Sequence, residues 1–129
     1  MSREEYIISF ANIIREHIGF KNCLKFLDVE KFIEDIGGSV SLISKDSIYP
    51  ANIEKVGSAF VLRVDKSLND YSKVMYSLIE MGHLFLHFKY LDKKYYEEFW
   101  IEESAYFRYG RGIERMEASK FASLVYKAS

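Results

Sequence analysis

Between Ser72 and Phe88 runs a stretch that fixes most of what this chain can become. At about 100° per residue, Lys73, Tyr76, Glu80, His83 and His87 fall in one narrow arc, while Val74, Met75, Leu78, Met81, Leu84, Phe85, Leu86 and Phe88 cover the rest of the circumference. A helix that is apolar nearly all round belongs inside a domain, and one polar stripe on it needs partners there. Asn69 and Asp70 are the candidate N-caps. Periodicity alone allows two readings of the stripe. It is an active-site face, or it is two histidines and a carboxylate hydrogen-bonded in a core.

The segments around this helix read as an α+β arrangement. Tyr6, Ile7, Phe10, Ile13 and Ile14 recur at helical spacing up to a break near Gly19, and the pattern returns as Phe20, Cys23, Leu24 and Leu27, then Val29, Phe32, Ile33 and Ile36. Gly37-Gly38 ends it. Ser39 to Ser44 alternates with the period of a half-buried strand, Tyr49-Pro50 marks a turn, and Ser58 to Val64 reads as another strand, with a short third one from Ile53 to Val56. The last helix is expected over about 112–127, burying Ile113, Ala118, Phe121, Ala122, Leu124 and Val125. Glu114 falls near the middle of that face, with Arg115 and Glu117 at its opposite edges. A glutamate aimed at a core needs a partner, which the polar stripe of the earlier helix can supply.

Bulk properties narrow the function. A chain of 129 residues with one proline and no linker-like stretch is expected to form a single domain, 1–129. Net charge is −1 and no basic block stands out, which disfavours direct nucleic-acid binding. The charged opening Met1-Ser2-Arg3-Glu4-Glu5 and the lack of a long apolar run predict a cytoplasmic protein with no membrane association. Cys23 is the single cysteine, so an internal disulfide is excluded and a cysteine-based metal site is disfavoured. The 10 Tyr, 10 Phe and 1 Trp concentrate after Tyr71. Such a concentration either packs a core or leaves a partner surface, for which Trp100, Tyr96 and Tyr126 are the candidates.

Within the central helix, Ile79-Glu80-Met81-Gly82-His83 has the form of H-E-x-x-H with the first histidine replaced. In that motif two histidines one turn apart hold Zn²⁺ and the glutamate polarises the metal-bound water. From Ala59 to Tyr126 the chain resembles the ImmA/IrrE-type metallopeptidases. The strand Ala59 to Asp65 leads into Ile79-Glu-Met-Gly-His-Leu-Phe-Leu-His87, where the family reads H-E-x-G-H-x-x-x-H, and then Glu117-Ala-Ser-Lys-Phe-Ala122 stands where the family reads E-A-N-x-F-A.

The resemblance implies a zincin-like α+β domain with N-terminal helices, a sheet of about three strands, a central active-site helix and a C-terminal helix. It also implies that Glu80 matches the general base and His83 a zinc ligand. The other two ligand positions hold Ile79 and Arg115, so the resemblance is to a degenerate member. An Arg115–Glu80 ion pair in the vacated space is one expectation.

These departures lead to the expectation of a pseudo-metallopeptidase with no cofactor, acting as a protein-binding, regulatory module. Family members often accompany phage or mobile-element helix-turn-helix repressors, so a repressor or antitoxin is the expected class of partner and transcriptional regulation the expected setting. The alternative is an active zinc endopeptidase that cleaves such a protein, using His83 and His87 with Glu114 or Glu117 as a relocated ligand set.

Overall fold

A computed structural model describes residues 1–19, 24–44, 50–94 and 112–126. Its elements are α1 (Arg3–Ile18), α2 (Phe26–Asp35), β1 (Ser39–Ile43), β2 (Ala51–Val56), β3 (Ala59–Asp65), α3 (Asp70–Gly82), a π-helical turn (His83–His87) and α4 (Gly112–Tyr126). The mixed α+β composition agrees with the sequence reading.

Local chemistry sets the ends of these elements. Ser2 and Glu5 form a reciprocal capping box at the start of α1, and Gly19 closes that helix in the left-handed region. Residues 20–23 lie outside the described part, and α2 begins at Phe26. Ile13 and Leu27, expected on buried faces, are 63% and 58% exposed. The third strand is longer than its apolar residues suggested. It runs from Ala51 and pairs with β3 along its whole length, because ladder bonds are made by backbone and do not require alternation. The hairpin turns through Gly57, whose φ of +62° suits the first central position of a tight two-residue turn.

The sheet order is β1-β3-β2, with β1 parallel and β2 antiparallel to the central β3. Phe60, Leu62 and Val64 on β3 join Val74, Leu78 and Met81 on α3 and Phe121, Ala122 and Val125 on α4 in one apolar cluster. At roughly 1.5–3 kcal/mol for each fully buried large apolar side chain, this cluster is the main source of stability. Among the described residues no helix is long and apolar enough to cross a membrane.

Two features position the central helix. Asn69 Oδ1 accepts the Ser72 N–H at 2.8 Å, which makes Asn69 the cap. The neighbouring candidate, Asp70, instead accepts the Phe26 N–H at 3.3 Å and ties the start of α2 to the start of α3. At the other end, Gly82 lets α4 approach closely: a Cβ there would lie 2.9 Å from Ala118 Cα and 3.1 Å from the Ala118 carbonyl oxygen. A glycine inside a helix costs about 1 kcal/mol relative to alanine, and here that cost is offset by a helix–helix approach no other residue permits.

The helix does not stay α-helical to Phe88, as a 3.6-residue period predicts. After Gly82 it widens into the π-helical turn, in which Phe88 N–H donates to the His83 carbonyl at 2.8 Å. Lys89 then takes φ +51°, and Tyr90 N–H returns to the Leu84 carbonyl to close the end.

Candidate functional site: a buried histidine pair

The polar stripe of the central helix runs from surface to core. Tyr76 is 40% exposed, Glu80 is half-buried, and His83 and His87 are only 5% and 7% exposed. The π-helical turn carries both histidines and brings their rings together, His83 Nδ1 lying 2.9 Å from His87 Nδ1. On the far side of the second ring, His87 Nε2 donates to Glu117 Oε1 at 2.8 Å. Glu117 in turn accepts two bonds from one guanidinium, Arg3 Nε to Oε2 at 2.6 Å and Arg3 Nη2 to Oε1 at 3.0 Å. The result is a hydrogen-bonded chain from the first turn of α1, through α4, into the centre of the molecule.

Its protonation state follows from its geometry. A carboxylate only accepts, so His87 carries its hydrogen on Nε2 and, as a neutral ring, accepts at Nδ1; His83 Nδ1–H is then the donor. Both rings are held neutral near pH 7. Burial pushes the His83 pKa down to about 4, helped by the charges of His87 and Arg115. Burial also lowers that of His87, against the opposing pull of its bond to Glu117. The Arg3 guanidinium holds the Glu117 carboxyl down at about 2, with His87 adding to the effect.

Several sequence expectations are corrected here. Among the described residues no ion pair joins Arg115 to Glu80; Arg115 is exposed, and its charge reaches His83 only through space. The carboxylate bound to His87 is Glu117, and the cation that neutralises it is Arg3. Ile113 is 71% exposed and lines a cleft of about 290 Å³ between α1 and α4, together with Met116, Ile7 and the paired charges of Arg3–Glu117 and Glu4–Lys120. The first turn of α4 faces this cleft, which leaves Ile113 uncovered.

Glu114 is half-buried, and its Oε2 is buried with no hydrogen-bond partner among the described residues. The aromatic residues divide likewise. Phe85 packs on Phe10 at 5.4 Å and near Phe32, Phe121 and Tyr90, so it is core, as is Phe88. Tyr126 is half-buried and meets Tyr71 edge-on at 5.3 Å. Tyr96 and Trp100 lie outside the described residues.

Arg3 escaped the sequence reading, though it left one signal. A cation in the first turn of a helix sits against the helix dipole, beside the acidic pair Glu4 and Glu5 that suits that position. An unfavourable placement of this kind points to a tertiary partner.

The donor set bears directly on metal binding. Zinc in the family's arrangement would be held at positions 79, 83 and 115. Ile79 is an apolar side chain packed against the core and Arg115 an exposed cation, so the residues present do not fit that site. In a relocated set, His83 and Glu117 would have to converge with His87 on one point. They bond instead to opposite nitrogens of the His87 ring, so the three residues form a line.

Comparison of the chain with protein-family models, with curated proteins and with solved structures returned no match.

Proposed function

We propose that this chain is a metallopeptidase-like scaffold of the ImmA/IrrE type whose catalytic face is rebuilt as a structural polar chain, and that it works by binding a regulatory protein without turnover. The observation that carries the proposal is the Arg3–Glu117–His87–His83 chain. It engages both His87 nitrogens and ends in a carboxylate neutralised by a protein cation, Arg3, with no metal charge needed to hold it. The order of strand, helix with Glu80-x-Gly82-His83, and helix with Glu117-Ala118 supports the scaffold half of the reading, and the Gly82–Ala118 contact gives those two motifs a shared packing role. A regulatory partner such as a repressor or antitoxin comes from the family resemblance.

The second reading, a zinc endopeptidase with relocated ligands, has one observation in its favour. The buried Glu114 Oε2 has no hydrogen-bond partner among the described residues, and the charge of Glu114 acts on His87.

Elemental analysis of the purified protein separates the two. The wild-type chain is expected to carry no stoichiometric zinc, and a chelator is expected to leave its melting temperature unchanged, because a ligand bound only by the native state would stabilise it. The Ile79→His, Arg115→Glu double variant restores the family's ligand types and is the positive control. One tightly held Zn²⁺ per wild-type chain, lost together with stability on chelation, would overturn the proposal in favour of the second reading.

A further inference from the structure

Among the described residues β1 is an edge strand, and its five residues carry none of the usual edge protection. Natural edge strands are blunted by charge, proline or a bulge. β2, the opposite edge, carries Glu54 and Lys55, whereas β1 reads Ser-Val-Ser-Leu-Ile with none of these devices. The backbone directions are set by the ladder to β3. Lys66 N–H donates to the Ile43 carbonyl, and Ile43 is paired with Asp65, so Ile43, Ser41 and Ser39 turn their backbone groups toward β3. Val40 and Leu42 therefore turn theirs outward, and among the described residues nothing pairs with them. Their side chains lie on the same face as Leu62 and Val64, the core face, yet Leu42 is 49% exposed.

We infer that this edge is a homodimer interface, in which β1 pairs antiparallel with β1 of a second copy about a two-fold axis through Ser41. The sequence is self-complementary in that register. Val40 faces Leu42 of the second copy and exchanges both backbone bonds with it, the axis repeats the exchange, and Ser41 faces Ser41 as the close, non-hydrogen-bonded pair. The pairing joins two sheets through their parallel edges and brings each exposed Leu42 against a Val40 on one continuous apolar face. No charge meets a like charge. A second copy fits better than an unrelated strand because one five-residue sequence satisfies both sides.

Sedimentation equilibrium and cysteine cross-linking test this. The wild-type mass is expected to rise with concentration toward that of a dimer. Leu42→Pro removes an outward N–H and the Leu42 side chain while the N–H groups that bond β3 stay in place, so it is expected to weaken association on the order of tenfold or more while the monomer stays folded. Ser41→Lys sets two like charges across the axis and is expected to act the same way.

In a Cys23→Ser background, Ser41→Cys is expected to oxidise to a disulfide-linked dimer. The Cα separation of such a strand pair, roughly 4.5 Å, lies within the span a disulfide bridges. Ser39→Cys, out of register with its own copy, is expected not to. A chain that stays monomeric through the high-micromolar range without a Ser41→Cys cross-link overturns the inference. So does a dimer that survives both Leu42→Pro and Ser41→Lys, or equal cross-linking at Ser39 and Ser41.

Discussion

Glu117 is the residue on which the buried chain turns, since it bonds both the half-exposed cation of Arg3 and the buried ring of His87. Glu117→Ala leaves the buried His87 N–H without an acceptor and is expected to cost about 1–3 kcal/mol in denaturant titrations. Arg3→Ala removes a half-exposed partner, 48% accessible, and is expected to cost under about 1 kcal/mol. In the double variant the two losses do not add, because both act through Glu117.

The histidines give the chain a pH signature. The folded His83 pKa lies at about 4, below its ordinary value of 6.5, so the unfolded state binds the proton first as pH falls. Stability is fully present above pH 6.5 and drains away as pH drops toward 4, by about 3 kcal/mol for this one group. Glu117, held down at about 2 from 4.5, adds a further loss below pH 4.5. His83→Gln is expected to shrink the step between pH 6.5 and 4, leaving the share of His87, whose pKa burial also lowers, and to leave the lower step in place. An unchanged upper step would assign it to another group.

Between elements, the decisive contact is Gly82 against Ala118. Gly82→Ala gains helix propensity but meets backbone atoms of α4 at 2.9 and 3.1 Å, so it is expected to be destabilising by roughly 1–3 kcal/mol. Pairing it with Ala118→Gly is expected to restore little, because the obstructing atoms belong to the α4 backbone. Full rescue would mean that only the methyl groups collide. Elements also differ in how far their sequence reveals them. The capping side chain of Asn69, the Gly37-Gly38 stop and the strand β3 are local, and local patterns expose them.

The π-helical turn is not, since nothing in a 3.6-residue period announces a widening that buries Leu84, Phe85, Leu86 and Phe88 together with both histidines. The polar stripe was legible as a stripe, while its partners were not. Glu117 lies 30 positions from His87 and Arg3 lies 114 from Glu117, distances at which only the packed fold decides who meets whom.

In the whole molecule, an apolar core built on α3, α4 and β3 is threaded by one hydrogen-bonded polar chain, which on the proposed reading replaces a catalytic centre. The scaffold tolerates it because each buried polar group along the line has a partner, which is the condition under which a polar network stabilises a core. The nitrogen chemical shifts of the His83 and His87 rings, measured near pH 7.5 with and without one equivalent of Zn²⁺, test this replacement directly. Two neutral rings are expected, His83 protonated at Nδ1 and His87 at Nε2, with shifts that zinc leaves unchanged. Rings in the opposite tautomers, or shifts that move together and saturate at one Zn²⁺ per chain, would contradict it.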